Sequence, residues 1–162
     1  MSTASQVAIS VDAPGKVNLY LAVGDVRPDG YHPLTTLFAA VSLMETITVS
    51  EGQTPGLSLS MDIMPGSLVD QQMQAGQFDP ADVPMDERNL VYRAAELILA
   101  EHGIGSVPAL HMHIAKAVPV AGGMAGGSAD AAAALIATDR YLHATGRTGA
   151  LLTQTDYERL AA

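Results

Sequence analysis

The sequence predicts one domain of mixed strands and helices, with the strands crowded into its first sixty residues. Three observations carry that reading. The 162 residues are 48% hydrophobic and only 15% charged, enough apolar chain to bury a core and too little charge for wholesale disorder. Thr46-Ile47-Thr48-Val49-Ser50 and Leu57-Ser58-Leu59-Ser60-Met61 alternate with period two, as strands with one buried face do. Leu90, Val91, Ala94, Leu97 and Ile98 recur instead at helical spacing and mark an amphipathic helix.

Taken in order, Val7 to Asp12 alternates and Val17 to Val23 is apolar, which reads as a strand pair turning at Pro14-Gly15. Arg27-Pro28-Asp29-Gly30 is turn chemistry: proline presets φ and Asp-Gly accepts tight geometry. Leu34 to Leu43 reads as the next strand, ahead of the two alternating runs. Residues 64 to 85 hold three prolines, two glycines and Gln71, Gln72 and Gln74 without a period, and read as a mobile surface excursion. The helix of the 90s is capped by Asn89 or Asp86 and stopped by Gly103. Leu110 to Ile114 is a strand, followed by a glycine-rich loop and an alanine-rich helix from Ala129 to about His143. Thr155 with Glu158 fits a capping box and announces a helix near Asp156. So short a helix cannot hold itself, so it is either a docked tail or the opening of a longer chain.

Composition excludes several functions. There is no cysteine, hence no disulfide scaffold, thiolate metal site or cysteine nucleophile. A net charge of −9 argues against a general nucleic-acid binder, which needs clustered positive charge. Tryptophan is absent and aromatics are 4%, too few for a base-stacking platform. The polar opening, Met1 to Gln6, has no signal-peptide character. The apolar stretch 117 to 137 carries Asp130 and four glycines, unlike a membrane span. A cytoplasmic protein without membrane association is expected. His111 and His113 share a strand face without an evident third metal ligand, so an exposed face is expected there. The scattered methionines read as core filler.

The most informative segment is Pro119-Val120-Ala121-Gly122-Gly123-Met124-Ala125-Gly126-Gly127-Ser128-Ala129-Asp130. It lacks the lysine of a Walker loop and the Gly-x-Gly of a dinucleotide fold. A strand nevertheless feeds a loop of little side-chain bulk, and the loop opens a helix whose first amides lack partners and carry partial positive charge. Phosphate binds such a terminus readily, and Ser128 can add a hydroxyl, to a phosphate oxygen or a magnesium ion. Close packing of helix and backbone is the other use of such small residues. Asp130 reads first as a helix cap and second as a metal ligand.

Pro119 to Ala129 resembles the phosphate loop of the GHMP kinases, Pro-x-x-x-Gly-x-x-Gly-Ser-Ser/Ala. Ala13-Pro14-Gly15-Lys16-Val17-Asn18-Leu19 and Arg27-Pro28-Asp29-Gly30-Tyr31-His32-Pro33-Leu34 resemble two further motifs, the last typical of the branch whose substrate carries a cytidine diphosphate group. With Asp86-Glu87-Arg88-Asn89-Leu90, the resemblance covers residues 7 to about 143. It implies an α+β domain of the ribosomal-S5-domain-2-like type, residues 1–162, normally followed by a ferredoxin-like domain that this chain does not contain. It implies ATP and Mg2+, and transfer of the γ-phosphoryl group to the 2-hydroxyl of a methylerythritol unit linked to cytidine diphosphate. In those roles Lys16 would stabilise the transferring phosphoryl group or help deprotonate the hydroxyl. Asn18, two residues on and so on the same strand face, would bind substrate hydroxyls. Tyr31 would stack on the cytosine and His32 would read its polar edge. Residues 119 to 129 would hold ATP. Gly15 stands where the family has Ala, and Ala129 where many members have a second Ser. The family's catalytic Asp lies in a Leu-Gly-x-Asp-Val-Pro segment after the helix near Asp156. This chain stops before any such segment, so it is expected to be the N-terminal portion of such a kinase and inactive alone. Another GHMP kinase, or a non-catalytic nucleotide-binding module, is the alternative.

Overall fold

The computed structural model describes residues 7–161; the reading made of Met1 to Gln6 lies outside them. Four strands form one sheet in the order β1-β2-β4-β3: β1 (Ala8–Val23), β2 (Leu34–Glu51), β3 (Gly56–Ile63) and β4 (Ala109–Lys116). Neighbours run antiparallel except β3 and β4, which are parallel and joined by a crossover through α1 (Leu68–Gln74), a 3-10 turn at Pro80–Asp82 and α2 (Leu90–Glu101). The long helix α3 (Gly126–Ala144) and the short α4 (Gln154–Leu160) follow. This is the α+β arrangement expected.

Alternation divides the sheet. Ile47 and Val49 of β2 and Leu110, Met112 and Ile114 of β4 are buried against Val91, Ala95 and Ile98 of α2 and Ala134, Ala137 and Leu142 of α3. The alanines of α3 let it lie close to the sheet. The opposite face is polar: Ser10 pairs with Thr48 and Thr46 with Asp12. His111 and His113 belong to this face, bonded to Ser58 and Ser60. No group of three His, Cys, Asp or Glu able to hold a metal occurs among the described residues.

Several elements differ from expectation. Residues 8 to 23 form one strand, not a pair. Its register shifts between Pro14 and Lys16, a bulge that accommodates Pro14-Gly15 because β1 is an edge strand with one side unpaired. Likewise 34 to 51 is one strand. The 64–85 excursion is ordered: Ser67 caps α1, accepting from the amide of Asp70, and Val69 is fully buried. Helix α3 begins three residues before Ala129. Thr153 and Asp156, rather than Thr155 and Glu158, make the capping box of α4. Asn89 caps α2, and Gly103 ends it at φ +65°, as the sequence suggests. Among the described residues no helix is long and apolar enough to cross a membrane.

Beyond the bulge, β1 and β2 leave the helices behind and run on as a two-stranded ribbon. Leu19, Tyr20, Leu21, Val23, Leu34, Leu37 and Phe38 are exposed there.

Candidate phosphate-binding site

The loop between β4 and α3 walls a cavity of about 440 Å³. Pro119 to Gly127 form one side. Asp82, Val83, Pro84, Arg88, Asn89 and Leu90, from the end of the excursion and the start of α2, form the other. Lys116 and Asp130 also line it. Sequence reasoning missed this second wall, because nothing in the composition of 64–85 says where the segment folds back. Asn89 fastens it: its Oδ1 accepts from the Val91 amide, and its Nδ2 donates to the Pro84 carbonyl at 2.7 Å. Arg88 sits at the edge, held by Asp86 through both carboxylate oxygens. The Arg88 hydrogen bonds hold the Asp86 carboxyl below its ordinary value.

The loop's backbone is unusual. Ala121 and Ala125 have φ of 57° and Gly123 has 69°. A left-handed conformation is free for glycine but costs alanine about 1 kcal/mol or more. Ala125 occupies the N-cap of α3 and offers no side-chain cap, so the first amides of the helix have no capping partner from it. The Met124 carbonyl accepts from the Lys16 amide at 3.0 Å, which ties the loop to β1. Gly15 also lies under the loop: a methyl group there would stand 3.1 Å from Val118 and press on the loop entrance.

The other predicted residues are distributed along the ribbon. The Lys16 ammonium donates to Asn18 Oδ1 and lies 5.1 Å from the centre of the Phe38 ring. Asn18 in turn donates to Thr36. The two residues therefore share one face, but neither lines the loop cavity. Tyr31 and His32 sit in the turn joining β1 to β2. Tyr31 is 75% exposed, and His32 Nδ1 bonds the Gly24 carbonyl at 2.8 Å. Ser128 does not face the loop cavity either. It lines an apolar groove with Leu90, Leu97, Leu135 and Leu160, among α2, α3 and α4.

Asp130 corrects the sequence reading. It does not cap α3, because Gly126 to Ser128 are already helical and place it deeper in the helix. It is buried, with Oδ2 2.9 Å from Lys116 Nζ and Oδ1 without a partner. Lys116 also donates to Glu45 Oε1 at 2.9 Å. Burial pushes both carboxyls above their ordinary values, despite the ammonium. Burial disfavours the Lys116 charge, but the two carboxylates outweigh it and raise its pKa. The signal for this cluster was present in the sequence: Glu45 shares the strand phase of Ile47 and Val49, and Lys116 that of Met112 and Ile114.

Residues 89–162 match the model of the GHMP kinases N-terminal domain. The chain is 52% identical over 130 residues to a 4-diphosphocytidyl-2-C-methyl-D-erythritol kinase of Mycobacterium avium, a match covering 80% of this chain and 35% of that protein. It is 46% identical over 133 residues to the corresponding kinase of Pseudarthrobacter chlorophenolicus, covering 81% and 38%. The chain thus spans little more than a third of the length of these curated relatives. Among solved structures it resembles a 4-(cytidine 5'-diphospho)-2C-methyl-D-erythritol kinase, with TM-score 0.61, 31% identity, and coverage of 95% of this chain and 46% of that one. Homoserine kinase from Cytophaga hutchinsonii shares the fold, with TM-score 0.63 at 19% identity, covering 99% and 41%. In sequence and in fold the chain is a homologue of the N-terminal portion of the GHMP kinases.

Proposed function

We propose that residues 1–162 form the ATP-binding domain of a kinase that phosphorylates the 2-hydroxyl of 4-diphosphocytidyl-2-C-methyl-D-erythritol. The observation that carries this reading is the glycine loop: residues 119 to 127 wall a cavity and lead into the uncapped start of α3. Backbone amides there would hold the phosphates of ATP, and Val83, Leu90 and Val120 offer apolar surface to a base. Lys16 would meet the transferring phosphoryl group and Asn18 the substrate hydroxyls, both supplied by the ribbon that leaves the loop at the Lys16–Met124 bond. Tyr31 and His32 would take the cytosine. The exposed Tyr31 ring is free to stack, and His32 keeps Nε2 for a base edge while Nδ1 is held by Gly24.

The residues fit a magnesium ion brought in by the nucleotide. Such an ion keeps phosphate oxygens and waters as most of its shell and needs no all-protein cage, and no such cage occurs among the described residues. When bound, it would offset charge on the phosphates.

Calorimetric titration tests the reading. The chain should bind MgADP and, separately, cytidine diphosphate, without turning over ATP. Base–aromatic stacking is worth about 1–3 kcal/mol, so Tyr31→Ala should weaken cytidine diphosphate roughly 5- to 150-fold and leave MgADP unchanged. Binding of MgADP with no affinity for cytidine diphosphate would favour a GHMP kinase of another substrate class. ATP turnover by the chain would overturn its assignment as inactive alone.

A further inference from the structure

The cluster of Glu45, Lys116 and Asp130 has no part in the function just proposed. Its members are 0%, 5% and 6% exposed. Such a cluster is a poor way to gain stability, since well-packed apolar residues often serve as well or better. It is also a poor way to attract phosphate, because two carboxylates face one ammonium and leave net negative charge beneath the loop.

Its connections suggest another role. Glu45 accepts from the amides of Ala117 at 3.1 Å and Val118 at 3.3 Å, the two residues entering the loop. It also lies against the loop's exit: a Cβ at Gly126 would stand only 3.2 Å from Glu45 Oε1. Lys116 joins Glu45 to Asp130 in the opening turns of α3. Both ends of the loop are therefore tied to one ammonium. Between them, Ala121 and Ala125 hold left-handed conformations, which persist only where the surroundings over-determine them.

We propose that Glu45, Lys116 and Asp130 are positioning residues that hold the glycine loop in its phosphate-receiving shape. The phosphate part of this inference rests on the proposed function; the shape of the loop does not. The test compares Asp130→Ala, which cuts the tie to α3, with Asp130→Asn, which removes the charge but can still accept from Lys116. The first readout is hydrogen exchange at the amides of Lys16 and Ala129, which donate to the loop carbonyls of Met124 and Ala125. The second is MgADP affinity, and amides in the middle of α2 serve as a control on global stability.

Asp130→Ala should speed exchange at Lys16 and Ala129 at least tenfold beyond the α2 control and weaken MgADP about tenfold. Asp130→Asn should leave both close to the parent values. Tighter MgADP binding in both variants would mean that the charge, not the tie, matters, and would overturn the proposal. So would a uniform loss of protection, the mark of a merely structural role. If the parent chain binds no MgADP, the proposed function fails, while exchange at Lys16 and Ala129 still decides whether the cluster positions the loop.

Discussion

Replacing Tyr157 by phenylalanine tests what holds α4 in place. Seven residues form no stable helix in water on their own, so docking must supply the stability. At the centre of the dock is Asp139, fully buried in α3. Its Oδ2 accepts from the Tyr157 hydroxyl at 2.5 Å and the Leu152 amide at 2.9 Å, and its Oδ1 lies 2.6 Å from His102 Nε2. Burial, then the bond to Asp139, raises the Tyr157 hydroxyl well above its ordinary pKa, so it stays a donor through neutral pH. A hydrogen bond to a charged group contributes about 1.5–3 kcal/mol. Tyr157→Phe leaves Asp139 two donors, so the lower part of that range applies, about 1.5–2 kcal/mol. The exposed Arg159–Glu101 pair adds little by comparison. Hydrogen exchange should therefore quicken roughly 10- to 30-fold at the α4 amides, with a smaller change in β4 and α2. Unchanged α4 protection would refute this account. So would an equal loss throughout the molecule, which would mean that α4 unfolds only with the whole.

Three further outcomes are expected. Ala125→Gly relieves a left-handed alanine and improves a helix N-cap, against the entropy of an added glycine; unfolding in urea should show stability unchanged or raised by up to about 1 kcal/mol. Asn89→Ala removes the α2 cap and the bond to Pro84, and should cost about 1–2 kcal/mol by the same measurement while loosening the 83–84 wall to proteolysis. Asp130 and Glu45 have folded pKa values raised above 3.8 and 4.5, their ordinary values. The folded state then binds protons more tightly than the unfolded one, so their contribution to stability falls as pH rises from about 4 through the raised values. Asp130→Asn should flatten that fall in urea midpoints taken between pH 4 and 8. The half-buried Asp70, Asp86 and Asp156, lowered by their hydrogen bonds, act in the opposite sense, and their contribution is lost only on acidification below 3.8.

What the sequence disclosed depended on how local each signal was. Strands β3 and β4 and helix α2 were legible because period and burial agree along them. The loop was legible because glycines before a helix have few uses. The unity of β1 was hidden, since Pro14-Gly15 is ordinary turn chemistry and only pairing with β2, more than twenty residues away, keeps the chain extended. Helix α1 buries a single valine and shows no apolar stripe. Asp130 was misread because the helix starts among glycines, which carry no helical signal. Lys116 and Glu45 were visible by strand phase, but a charge in a buried phase usually means that the strand has ended, and their mutual contact is a tertiary fact.

The parallel pairing of β3 with β4 also has a kinetic consequence. Lys116 and Glu45 lie 71 residues apart, so the loop takes its final shape only after β4 has inserted between β2 and β3. Contacts of such long range form late in folding. An anion bound to the loop would then stabilise the native state without stabilising the folding transition state. Saturating ligand should slow unfolding by the full factor 1 + [L]/Kd and leave the refolding rate as it was. A protein held folded this way resists unfolding for as long as its ligand stays bound, yet regains its structure no faster once it is lost.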